Sequence, residues 1–263
     1  MTRRTAAIRR GLRHPLAVTR ALVARYRGMH DYEALYANVG ALALSDEDLV
    51  GPGDFDRVGA IELAILREAG LEPQHTLVDF GCGAGRLALH AVSFLDRGEY
   101  VGIDISQQAL RRAAANVARL QPPPTCRVRW LHNVKTSFPL GNRVADVVCA
   151  FSVFTHIEHE DTYRYLADAG RLVRAGGRFV FSCLPLELEV SREVFLESAA
   201  LPLQQRWRRV RNVTTSRDMM DVISGLAGWR VVEWYDGDAA RWSLDGSSAP
   251  AMLGQSICVL QRP

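Results

Sequence analysis

The chain has 263 residues, 48% hydrophobic and 23% charged, which is enough to bury a sizeable core and too apolar for a disordered tail. Its 32 basic and 29 acidic side chains leave a net charge of +3, which argues against a protein that coats a polyanion by bulk charge. No run reaches the roughly 18–20 apolar residues of a bilayer span, since even the stretch from Ala60 to Leu66 is interrupted by Glu62 and closed by Arg67.

Lys135 is the only lysine beside 31 arginines, a bias that codon usage in a high-GC genome explains. The five cysteines (Cys82, Cys126, Cys149, Cys183 and Cys258) form no CxxC pair and are odd in number, as expected in a reducing, cytoplasmic compartment.

Residues 1 to about 27 are basic, and no acid precedes Asp31. Pro15 is placed to start a helix with a loose apolar stripe of Leu16, Val18, Leu22, Val23 and Tyr26, read as a helix docked on the domain or as an arm touching a membrane surface or RNA. A short helical piece from Tyr32 to Tyr36 leads into a turn-rich stretch over residues 40–53. Residues 1–55 are therefore expected to form an N-terminal basic helix and lid.

From residue 56 the pattern alternates helix and strand, as a parallel sheet with crossover helices requires. Helices are predicted at 57–69, 86–94, after Ser106 and at 161–174; strands at 76–80, 100–103, 127–131, 145–151 and 178–184. The helix after Ser106 is the clearest, with Leu110, Ala113, Ala114, Val117 and Leu120 on one stripe and prolines 122–124 closing it. Beyond Pro185 the alternation lapses for about thirty residues before a helix at 217–226 and strands at 229–235 and 255–260. The fold expected is a doubly wound, Rossmann-like seven-stranded α/β sheet, mostly parallel with one antiparallel edge strand. It occupies residues 56–263, with a substrate-side insertion at about 185–228.

The chemistry concentrates in Asp79-Phe80-Gly81-Cys82-Gly83-Ala84-Gly85-Arg86, a glycine-rich turn between a buried strand and a helix. The dinucleotide fingerprint G-x-G-x-x-G is absent, because Arg86 stands where its last glycine would fall. An acid directly before the turn suits a ligand presenting a cation there, and S-adenosylmethionine carries an ammonium and a sulfonium. Asp104 ends the next strand, where a carboxylate can take both hydroxyls of a ribose.

Together these segments resemble the first two motifs of the class I S-adenosylmethionine-dependent methyltransferases. Phe151-Ser152-Val153-Phe154-Thr155-His156-Ile157 and Arg171-Leu172-Val173-Arg174-Ala175-Gly176-Gly177 resemble that family's fourth-strand and fifth-strand segments. The resemblance implies that S-adenosyl-L-methionine is the cofactor and S-adenosyl-L-homocysteine the product. It implies further that Asp79, Gly81, Cys82, Gly83 and Gly85 line the methionine part and that Asp104 holds the ribose. Ile105, Asn133, Val134 and Phe151 complete the implied cofactor pocket. Asn133 stands where many members have an acid for the adenine amino group, and Val134 offers a backbone amide.

His156, after the fourth strand, is a candidate base for an attacking hydroxyl, with a packing or capping role as the alternative. Tyr32, Tyr36, Arg206 and Trp207 are the candidate substrate contacts. His156, Glu158, His159, Glu160 and Asp161 lie too close in sequence to converge on a metal and are read as a solvated helix start, so no metal is expected. The function expected is methyl transfer to a small-molecule or sugar-type acceptor at oxygen, with RNA methylation or a non-catalytic cofactor-binding role as alternatives. Neither the Asn/Asp-Pro-Pro-aromatic run of exocyclic-amine enzymes nor the Pro-Cys of cytosine-carbon enzymes is present.

Overall fold

The computed structural model describes Tyr32 and residues 54–206, 210–244 and 249–263; the helix expected after Pro15 and the stretch 40–53 lie outside them. The elements in chain order are α1 (Phe55–Glu68), β1 (Thr76–Phe80), α2 (Arg86–Phe94), β2 (Glu99–Asp104), α3 (Gln107–Val117), β3 (Arg127–His132), β4 (Ala145–Ala150) and α4 (His159–Leu172). They continue with β5 (Val173–Pro185), α5 (Glu189–Ala200), α6 (Leu203–Arg206), β6 (Thr214–Thr215), α7 (Arg217–Leu226), β7 (Arg230–Tyr235) and β8 (Ser256–Gln261).

Seven strands form the sheet in the order β3-β2-β1-β4-β5-β8-β7, and the two-residue β6 pairs with the end of β5. Strands β1 to β5 are parallel, and β8 runs antiparallel to both β5 and β7. One expectation is corrected here: the antiparallel strand lies one position in from the edge. The crossover through α7 sets β7 a strand-width beyond β5, and the returning β8 fills the slot between them.

Both faces of the sheet are covered. Ile61, Ile65, Leu66, Leu87, Ala88 and Ala91 of α1 and α2 pack with Leu77, Tyr100 and Val147 on one face. Tyr165, Leu166, Ala169 and Leu172 of α4 and Met220 and Ile223 of α7 pack with Val78, Val148, Phe179 and Phe181 on the other. The α3 stripe is as the periodicity predicts, with Ala109, Leu110, Ala113 and Val117 buried and the Ser106 hydroxyl accepting from the Ala109 amide.

Two elements differ from expectation. Strand β5 begins at Val173 and runs through Gly176 and Gly177, where a helix had been expected to end. A Cβ at Gly177 would stand 2.7 Å from the Asp146 carbonyl, so only glycine allows β5 this close to β4. The register shift between Ala145 and Val147 accommodates the approach. Helix α5 lies where no element had been predicted. It exposes Phe195 and Leu196 and buries only Ser191, so it carries no core-facing apolar stripe to detect. Among the described residues no helix is long and apolar enough to cross a membrane.

Candidate functional site

Parallel β1 and β2 end side by side, with Phe80 opposite Ile103, and the glycine turn folds back over that edge. The amides of Gly81 and Cys82 both donate to the Ile103 carbonyl, at 2.7 and 3.1 Å. Gly81 (φ 77°) and Gly85 (φ 86°) occupy the left-handed region, and neither has room for a side chain. A Cβ at Gly81 would meet Val153 Cγ2 at 2.4 Å, and one at Gly85 would meet Ala113 Cβ at 3.0 Å. Cys82 is buried in this turn, and burial pushes its thiol up, so it serves as an apolar wall and not as a nucleophile.

Asp104 faces the turn from the end of β2. One carboxylate oxygen accepts from the Gly83 amide at 2.8 Å, the other from the Ser106 amide at 2.7 Å. The carboxyl is held in one orientation, and each oxygen keeps a further lone pair. Burial raises its pKa while the amides oppose the shift. The lone pairs left on this carboxylate suit the two hydroxyls of a ribose as acceptors.

Asp79 behaves differently. Its carboxylate is 3% exposed and lies beneath the turn, accepting from the Tyr100 hydroxyl at 2.5 Å and the Cys149 thiol at 3.6 Å. Burial pushes its pKa up to about 7. Beside it Arg86 donates to Glu62 at 2.6 Å, a buried ion pair that ties the start of α2 to α1. Neither Tyr100 nor the Glu62–Arg86 pair stands out in the sequence, because their partners lie in other elements.

Asn133 and Val134 follow β3. The Asn133 amide nitrogen donates to the carbonyls of Lys135 and Ser137, at 3.0 and 2.9 Å, and its oxygen accepts from the Lys135 amide at 3.2 Å. Its donors are thus committed to closing its own loop. Ile105 and Val134 are half-buried at the same edge, and Phe151 is buried in the core on the α1 and α2 face.

His156 lies in the turn after β4, its amide donating to the Val153 carbonyl at 2.9 Å. Its Nδ1 is 2.9 Å from the Arg211 carbonyl and must carry the proton to bond there, which leaves the Nε2 lone pair free. Burial lowers its pKa, so the ring is neutral near pH 7. The insertion is stitched across this edge: Val213 donates to the Thr155 carbonyl at 2.7 Å, and Thr214 and Thr215 pair with Leu184 and Pro185. The part played by the Arg211 backbone was invisible in the sequence, since any residue supplies a carbonyl.

The Tyr32 hydroxyl accepts from the Glu158 amide at 3.0 Å and donates to Asp161 at 3.1 Å, which places it over the start of α4 beside the His156 turn. Arg206 is exposed at the end of α6, and Tyr36 and Trp207 lie outside the described residues. The structure therefore brings together Gly81, Cys82, Gly83, Gly85 and Asp104 at one edge and sets His156 and Tyr32 at its β4 end.

Comparison with known proteins agrees with this architecture. Residues 78–179 match the family model described as a methyltransferase domain. The chain is 33% identical to a ribosomal protein L11 methyltransferase of Cupriavidus taiwanensis over 141 residues, spanning 54% of this chain and 42% of that protein. It is 30% identical to a ribosomal RNA large subunit methyltransferase G of Magnetococcus marinus over 116 residues, spanning 43% of this chain and 31% of that protein. The chain thus covers less than half the length of these curated relatives. Among solved structures, magnesium protoporphyrin IX methyltransferase of Synechocystis with bound S-adenosylhomocysteine superposes with a TM-score of 0.58 at 16% identity, covering 81% of this chain and 90% of that one. That likeness concerns the fold.

Proposed function

From the premise that this chain carries a class I S-adenosylmethionine-dependent methyltransferase domain, we propose that it transfers a methyl group to a hydroxyl of a small-molecule or sugar-type acceptor. The bound cofactor supplies an electrophilic methyl on a sulfonium. Asp104 holds the ribose hydroxyls, and the backbone of Gly81, Gly83 and Gly85 lets the rest of the ligand approach the ends of β1 and β2. The catalytic demand left to the chain is to align the acceptor, exclude water and take one proton.

The observation that carries the choice of oxygen is His156. A neutral imidazole, with Nδ1 tied to the Arg211 carbonyl and Nε2 left as an acceptor, is the state a base for a hydroxyl requires. His156→Ala should lower kcat for an O-methyl acceptor by about 10²–10⁴-fold with little change in cofactor affinity. A parallel loss of melting temperature with unchanged turnover would assign His156 to packing instead.

A second reading is supported by two relatives named for ribosomal substrates. In it the acceptor is RNA or a ribosomal protein, and the arginines of the insertion, Arg206 and Arg211 among them, face it. A labelled-methyl screen of metabolite, glycan and ribosomal fractions separates the two by where the label goes.

A further inference from the structure

Resting on the methyl-transfer reading, we propose that Asn116 is a positioning residue for the cofactor: from the last turn of α3 it holds the Ala84 carbonyl and so keeps the glycine turn in the shape that admits S-adenosylmethionine.

The turn meets α3 through two residues on one face of the helix. Ala113 fills the space that a side chain at Gly85 would need, 3.0 Å from the position of that Cβ. Asn116 follows three positions later on the same face, and its amide nitrogen donates to the Ala84 carbonyl at 3.2 Å. Ala84 is fully buried, and Asn116 is the only donor to its carbonyl among the described residues.

The other bonds of the turn run elsewhere. Gly81 and Cys82 donate to the Ile103 carbonyl, Gly83 to Asp104, and Gly85 back to the Cys82 carbonyl at 3.0 Å. They secure the side that faces β2, and Asn116 secures the side that enters α2. Three glycines at positive φ, Gly81, Gly83 and Gly85, give the turn little stiffness of its own, so its shape depends on these outside contacts. Without Asn116 a buried carbonyl would lose its partner, and the turn is the part of the chain free to shift in response.

The same helix also serves Asp104. Its N-cap residue, Ser106, gives its backbone amide to that carboxylate at 2.7 Å. Helix α3 thus carries at its start the group that orients the ribose acid and near its end the group that orients the turn. Asparagine is a poorer helix former than alanine, because its side chain competes for backbone partners, and here that side chain reaches out to the turn.

The test compares the full chain with Asn116→Ala and Asn116→Asp by calorimetric titration of S-adenosylhomocysteine. Backbone amide exchange at Gly83 and Gly85 is followed by NMR on the ligand-free proteins. Alanine removes the donor and favours the helix; aspartate keeps the shape and removes the donor. Both should weaken S-adenosylhomocysteine about tenfold and speed exchange at the two glycine amides, with the alanine variant holding its melting temperature. Wild-type affinity in either variant overturns the proposal, and so does weaker binding with unchanged exchange at both glycines. Failure of the wild type itself to bind S-adenosylhomocysteine overturns the methyl-transfer reading on which the proposal rests.

Discussion

Asp79 and Asp104 are the same side chain at the ends of neighbouring strands, yet their surroundings make them different groups. Asp104 takes two backbone amides and keeps lone pairs facing the turn, whereas Asp79 is enclosed with Tyr100 and Cys149 below it. The folded-state pKa of Asp79, about 7, lies above its ordinary value, so the folded protein keeps a proton that the unfolded chain releases. Its stabilising contribution is present at low pH and lost as pH rises through about 7. The melting temperature of the wild type relative to Asp79→Asn should therefore fall from about pH 4 to about pH 7 and level off above it, and parallel profiles would contradict this. Asp104→Ala should abolish cofactor binding in calorimetry while the circular dichroism spectrum is retained.

Among the elements, α2 carries the glycine turn at its start and is anchored there by the Arg86–Glu62 ion pair. Removing one partner leaves a buried charge uncompensated, so Arg86→Met should cost about 3–5 kcal/mol in denaturant unfolding. The double replacement Arg86→Met, Glu62→Leu should recover most of that loss. The contrast between well-read and missed elements follows from the same physics. The bounds of α2 and α7 were legible because their apolar residues face the core at a helical period, and those of β1 because it is a short buried run that ends at the glycine turn. Helix α5 was not, because it turns Phe195 and Leu196 outward. The glycine turn could be read because its signal is local, whereas the Arg211 carbonyl under His156 and the Asn116 amide on the Ala84 carbonyl join residues 55 and 32 positions apart.

On the scale of the whole molecule, the candidate site residues among the described ones gather at the carboxyl edge of the sheet. Strands β1 and β2 bring the turn and Asp104, β4 brings His156, and the insertion returns through Val213 to Thr215 to close over that end. Doubly wound sheets bind their ligands at this edge because the strand order reverses there and leaves a crevice. Calorimetric titration of S-adenosylmethionine and S-adenosylhomocysteine into the purified chain, with NAD and NADP as controls, decides which cofactor this edge takes. Saturable heat from the first pair and none from the nicotinamide nucleotides is the expected result; binding of NAD or NADP with no response to S-adenosylmethionine would contradict it.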